Sequence, residues 1–214
     1  MAASKQETWT AAIEAFEAGH HALLERLCAH LLELEPGNFP VRMLRAHSLL
    51  KMKRFDDAGT LLEGANPIDE REVVLWHRTA GDYYAERGDH EAAEDEYSSA
   101  LAIAEHATSD LVLDLVEAQL SQGNSEAALR SIQVFMSGQD GELDDSELLA
   151  FAEARAQRNL GRLHEALEAA KRAAALAEKV GGFPDGELLV RDLEQTIAWR
   201  SKLAEAELSS SPAE

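Results

Sequence analysis

The sequence predicts an all-α fold, a right-handed α-solenoid of stacked helix-turn-helix hairpins, on two observations. The first is a phrase that returns about every 35 residues: a loop glycine or its stand-in, followed five residues later by a small residue or, once, leucine. Its marks are Gly19/Leu24, Lys53/Ala58, Gly88/Ala93, Gly123/Ala128 and Gly161/Ala166, at spacings of 34, 35, 35 and 38. The second is that apolar and small residues on both sides of each mark recur at helical intervals. A hairpin of that size cannot bury its apolar face alone, so such units stack, and function falls on the surface of the stack.

The third unit, residues 74–107, sets the register for the others. Ala80, Gly81 and Tyr84 share one side of its first helix, and Ala93, Tyr97 and Ala100 lie at i, i+4 and i+7 on its second. Small Gly81 and Ala93 let two backbones approach while the tyrosines fill the gaps on either side. Gly88 falls in the connection, where glycine adopts a positive φ at little cost, and Asp89 is placed to cap the second helix.

This unit resembles a tetratricopeptide repeat (TPR), a family pattern with small residues at its eighth and twentieth positions and aromatics at its eleventh and twenty-fourth. Gly81, Ala93, Tyr84 and Tyr97 match those four places. Alignment of the other units on it puts Ala12, Ala46, Val116 and Ala154 at the eighth position, and Leu24, Ala58, Ala128 and Ala166 at the twentieth. Five repeats follow, at about 5–38, 39–72, 74–107, 109–142 and 147–180, read as one continuous domain over 1–208.

The other four units depart from the pattern. In the first, Trp9, Ala12, Ile13 and Phe16 also fit a packing face with the helix rotated, and Pro36 closes the unit. In the second, Asn66-Pro67 comes early and predicts a short second helix, because the residue before proline is driven from helical geometry. The fourth and fifth carry Gln119 and Gln157 where an aromatic is usual, which predicts looser hairpins. Between them lies the acidic stretch from Gly138 to Glu147, with Asp144 expected to cap the next helix. A terminal helix over 185–208, with Leu189, Leu193 and Ile197 at steps of four, is expected to cap the array; Trp199 lies off that stripe, and 209–214 is expected to be a disordered tail.

Composition narrows the function. The 214 residues carry 40 acids against 20 bases, a net charge of −20, and such a field repels phosphate backbones and anionic lipid, so neither nucleic acid nor membrane is an expected partner. Fifteen of the acids fall between Asp89 and Glu147 beside one base, Arg130. No apolar run approaches a membrane span, and the opening MAASKQETW has no signal-type apolar stretch, so a cytoplasmic location is expected. A single cysteine, Cys28, excludes an intrachain disulfide.

The resemblance implies that the first helix of each unit lines a concave groove for an extended peptide or a partner helix. The first-helix residues opposite the packing stripe are Met43, Leu44, His47 and Lys51; Arg78, Asp82 and Glu86; Asp114 and Glu117; Phe151, Arg155 and Arg158. Asp82, Glu86, Asp114 and Glu117 form an inward acidic cluster suited to lysine or arginine side chains of a partner. One TPR subclass clamps the terminal carboxylate of heat-shock chaperones with Lys, Asn and Arg; Met43, Leu44, Asp82 and Asp114 stand at those places, so that clamp is not present.

Catalytic motifs are absent: there is no phosphate-binding loop, nucleophile elbow or H-E-x-x-H. His21, Glu25 and Cys28 share a helical face, but the repeat register makes His21 and Cys28 packing residues, so no metal or other cofactor is expected. The sequence reads as a protein-binding adaptor or scaffold rather than an enzyme, with self-assembly through the terminal helix into homo-oligomers as the alternative.

Overall fold

A computed structural model describes residues 4–138, 146–178 and 184–210. Among the described residues the chain is helical throughout, with no strand, and it divides into two compact units, Met1–Ala107 and Thr108–Glu214. The first holds α1 (Lys5–Glu17), α2 (His21–Leu34), α3 (Phe39–Lys51), α4 (Phe55–Glu63), α5 (Glu70–Glu86) and α6 (His90–Ile103). The second holds α7 (Ser109–Ser121), α8 (Ser125–Gly138), α9 (Glu147–Asn159), α10 (Leu163–Glu178) and α11 (Pro184–Ser210). Each unit is a stack of helical hairpins, the architecture the periodicity predicts.

Several helices begin where a side chain takes up a free amide, though α2 and α4 do not. Ser4 and Glu7 form a reciprocal capping box on α1, and Asn38, Asp69, Asp89, Thr108 and Ser146 each accept the backbone N–H three residues on. Asp89 is the expected cap. Ser146, rather than Asp144, caps α9, and Asp144 itself lies outside the described residues. The five loop marks all carry positive φ, between 61° at Lys53 and 81° at Gly88. Five residues on, Leu24, Ala58, Ala93, Ala128 and Ala166 are each fully buried.

Packing follows the same register. Ala12, Ala46, Val116 and Ala154 have no exposed surface, and Gly81 is buried against Tyr97. In α1 this settles the register: Ala12 packs inward beside Ala15 and Thr8, while Phe16 is 43% exposed, so the rotated alternative is not adopted. The second hairpin is short on one side, as expected, since α4 has 9 residues against 14 in α2 and α6.

The fourth and fifth hairpins manage without their aromatics in two ways. Gln119 is buried on α7, where its Oε1 accepts from Ser131 Oγ of α8 at 3.0 Å. In the fifth, α9 and α10 meet through Ala154, Ala166, Ala169, Ala170 and Ala173, small side chains that bring the backbones together rather than loosening them. The stripe of α11 completes this core: Leu189 and Leu193 sit on Ala154, Ala166, Ala169 and Ala170. Burial of each leucine contributes roughly 1.5–3 kcal/mol. Helix α11 runs two residues past its expected end, and residues 211–214 of the expected tail lie outside the described residues.

Candidate protein-binding faces of the first helices

In the first unit, α3 and α5 carry the residues expected to face a partner, and the structure sorts them into two kinds. Met43 is 1% exposed and packs with Phe39 and Leu62, so it offers nothing to a ligand. Its burial corrects the sequence assignment: α3 is covered by α2, α4 and α5, and a helix enclosed on three sides needs a wider packing stripe than one hairpin partner demands. Leu44 is half-buried against the core of the first hairpin, and Arg78 is half-buried on α5.

The charged residues engage one another across the hairpins. His47 Nδ1 lies 3.4 Å from Asp82 Oδ2, and Tyr97 donates its hydroxyl to Asp82 Oδ1 at 2.9 Å. Lys51 Nζ pairs with Glu86 Oε1 at 2.8 Å, while Lys53 takes the other Glu86 oxygen. Burial pushes the Glu86 carboxyl upward, but the hydrogen bonds from Lys51 and Lys53 outweigh it and hold the group below its usual range. On the α1 side, the Phe16 ring meets the His47 imidazole edge-on at 5.6 Å, and His21 follows at 6.3 Å. Burial, and then the charges of His47, Lys51 and His20, keep His21 below its ordinary pKa.

The second unit repeats the arrangement with the signs exchanged. Glu117 on α7 pairs with Arg155 on α9, whose guanidinium stands 5.9 Å from the centroid of the Phe151 ring. Arg158 reaches Asp192 of α11 at 3.4 Å, and Arg162 reaches Glu126 of α8 at 2.7 Å. Asp114 is half-buried on α7.

These pairs share a rule that the sequence contains but a search for clusters does not find. His47 and Asp82 each follow the small eighth-position residue of their repeat, as do Glu117 and Arg155; one period separates the partners. Residues in equal register on neighbouring first helices stand side by side, so opposite charges one period apart were the available signal. Lys53, Tyr97 and Phe16, absent from the expected set, join these side chains through their own contacts with Glu86, Asp82 and His47.

Cys28 is fully buried, and burial raises its thiol to about 11, far from a thiolate at neutral pH. Among the described residues no group of three or more His, Cys, Asp and Glu is placed to hold a metal ion. No helix among them is long and apolar enough to cross a membrane.

Stacked hairpins with a positive-φ connection and small residues at both closest approaches define a tetratricopeptide-repeat fold. Solved structures agree. A tetratricopeptide repeat protein from Parabacteroides merdae superposes with a TM-score of 0.71 at 12% identity, covering 89% of this chain and 71% of its own. PilW, described as a widely conserved type IV pilus biogenesis factor, gives 0.72 at 16% identity over 97% of this chain and 93% of its own. The Cut9–Hcn1 hetero-tetramer of the APC/C gives 0.69 at 14% identity over 90% of this chain and 37% of the matched one. No family model matches the chain, and no curated protein matches its sequence.

Proposed function

We propose that this protein is an interaction scaffold that holds a segment of a partner protein against the outward faces of its first helices. The observation that carries the reading is the row of ionisable side chains along α3 and α5, half-buried His47, Arg78, Asp82 and Glu86 with exposed Lys51, which the buried stripe of each helix leaves at the surface. Structural likeness to Cut9, solved in a complex with Hcn1, and to PilW, a biogenesis factor, supports the same class.

The finer proposal is a basic partner segment. The net charge of −20 draws a cationic ligand over distance, and two of the acids it would meet, Glu86 and Glu117, are held in ion pairs with the chain's own cations. Lys51 and Lys53 are 38% and 64% exposed at their side chains, so a partner lysine or arginine can reach Glu86 and compete with the internal cations. Affinity capture with the full chain, followed by mass spectrometry, tests both levels. A partner lost when Asp82, Glu86, Asp114 and Glu117 are reversed to lysine together supports the basic reading; one that survives removes it and leaves the scaffold standing. Capture of no specific protein by the native chain counts against the scaffold itself.

A second reading rests on α11. Leu188, Trp199 and Leu203 lie within about 60° of one another on that helix at 100° per residue, and they are 57%, 63% and 39% exposed. This stripe lies apart from the buried Leu189–Leu193 stripe and is suited to a second copy of the chain. Light scattering across a dilution series decides it: a dimer that Trp199→Ser converts to monomer supports self-assembly, and a monomer at all concentrations excludes it.

A further inference from the structure

The first unit contains a second candidate surface, formed from none of the residues expected to line the groove. A cleft of about 220 Å³ opens between α4 and α5, walled by Trp76, Tyr83 and Tyr84 with Leu62 at its side, and Glu63 and Arg87 at its mouth. Trp76, Tyr83, Tyr84 and Arg87 fall at i, i+7, i+8 and i+11, one face of α5. Gly59 of α4 lets the Tyr83 ring come close to the helix at the cleft wall: a Cβ there would stand 3.4 Å from Tyr83 Oη and 3.6 Å from Cε2. The volume is below the 300–1,000 Å³ usual for small-molecule sites and suits a single bulky side chain.

The chemistry of the walls narrows the occupant. The Trp76 indole N–H already donates to the Leu62 carbonyl at 3.1 Å, and the Tyr83 hydroxyl is already engaged by Arg87. With their polar atoms engaged, these residues turn only ring carbon to the cleft, Tyr84 standing edge-on to Tyr83 at 5.4 Å and His77 edge-on to Trp76 at 5.1 Å. The Arg87 guanidinium, 5.0 Å from the Tyr83 ring centroid, forms no ion pair with a carboxylate among the described residues, although the chain carries 40 acids against 20 bases. Glu63, the last residue of α4, is exposed on the opposite lip and repels a carboxylate on its own side. A ligand with an apolar body and one negative charge beside it is therefore oriented, its charge lying on the Arg87 side.

We infer that this cleft is a docking pocket for an aromatic side chain next to an acidic residue on a partner segment. The inference deepens the scaffold reading and fails separately from it, since a partner can occupy the groove while the cleft stays empty. Ring stacking in a half-buried aromatic pocket supplies the affinity, and the rim cation selects the neighbouring charge.

The test uses the full chain and the blocked peptide acetyl-Gly-Phe-Asp-Gly-amide, followed through the indole N–H resonances of the three tryptophans, Trp9, Trp76 and Trp199. One anchored side chain gives weak binding, so the titration runs to about 10 mM. A saturable shift at Trp76, with Trp9 and Trp199 unmoved, is the expected result. The Phe-Lys analogue should bind at least about fivefold more weakly, the Ala-Asp analogue should leave Trp76 unmoved, and Arg87→Glu should reverse the charge preference. Gly59→Leu should abolish the shift by driving its side chain against the Tyr83 ring and into the cleft; leucine favours a helix over glycine, so α4 itself persists, which circular dichroism checks. No movement of Trp76, an equal response to the Ala-Asp peptide, or a response that survives Gly59→Leu overturns the assignment.

Discussion

Gly81 lies directly beneath the Tyr97 ring: a Cβ built on it would stand 2.4 Å from Tyr97 Cε1 and 2.6 Å from Cδ1. The ring has little room to retreat, being 3% exposed and tied through its hydroxyl to Asp82. Gly81→Ala should therefore lower stability by about 1–3 kcal/mol and Gly81→Leu by more, through overpacking. Thermal melting checks both. Because the cause is one contact, Tyr97→Leu in the Gly81→Ala background should cost less than the sum of the two single changes. Strict additivity would place the strain elsewhere.

The loop marks yield a prediction of opposite sign. Lys53 holds φ at 61°, the left-handed region that the other four marks fill with glycine. A side chain there costs roughly 1–2 kcal/mol, partly offset by the greater entropy glycine loses on folding. Its ion pair with Glu86 is little compensation, since the Lys53 side chain is 64% exposed. Lys53→Gly should raise the midpoint of chemical denaturation, while Gly88→Ala should lower it. A fall in both would remove the strain at Lys53.

How far the structure was legible depended on what kind of relation a residue enters. The turns and closest approaches were readable because each needs a particular residue type: positive φ at Gly19 and Gly123, no bulk at Gly81 and Ala93. The candidate groove was readable only in part. Met43 stands at a groove position in a two-helix hairpin and becomes core only because a third helix closes over it. The acids form a cluster along the sequence of each first helix, whereas in the fold Asp82 and Glu86 are answered by His47 and Lys51, 35 residues earlier. The cleft beside Trp76 depends on Gly59 and Tyr83, from different repeats, meeting across a helix shortened at Glu63.

Glu86 gives the chain a dependence on acid. Its folded-state pKa is held below the ordinary value, the upward push of burial being outweighed by Lys51 and Lys53. The stabilisation is therefore complete above the unfolded value, about 4.3–4.5, and is lost as pH falls through the lower folded one. Glu86→Gln should flatten the decline in melting temperature below pH 4.5 relative to the native chain. Parallel curves for the two proteins would show that the pairs with Lys51 and Lys53 do not form in solution.

At the alkaline end the sign reverses, through Cys28. Burial raises the thiol from 9.0 to about 11, because a thiolate in the cluster of Ala12, Leu24 and Leu31 would be poorly solvated. A raised folded pKa means that the stabilisation is intact below about 9 and is lost as pH rises toward 11, roughly 3 kcal/mol over the full interval at 1.36 kcal/mol per pH unit. Cys28→Val, apolar and close in size, should lack this loss, so the native and variant unfolding curves should separate between pH 9 and 11. The same burial has a kinetic readout at pH 8. A disulfide-exchange reagent should label Cys28 only as fast as the first hairpin opens, and urea below the unfolding transition should accelerate labelling in step with that opening. Labelling at the rate of a free thiol in the absence of urea would mean that Cys28 is not enclosed by α1, α2 and α3.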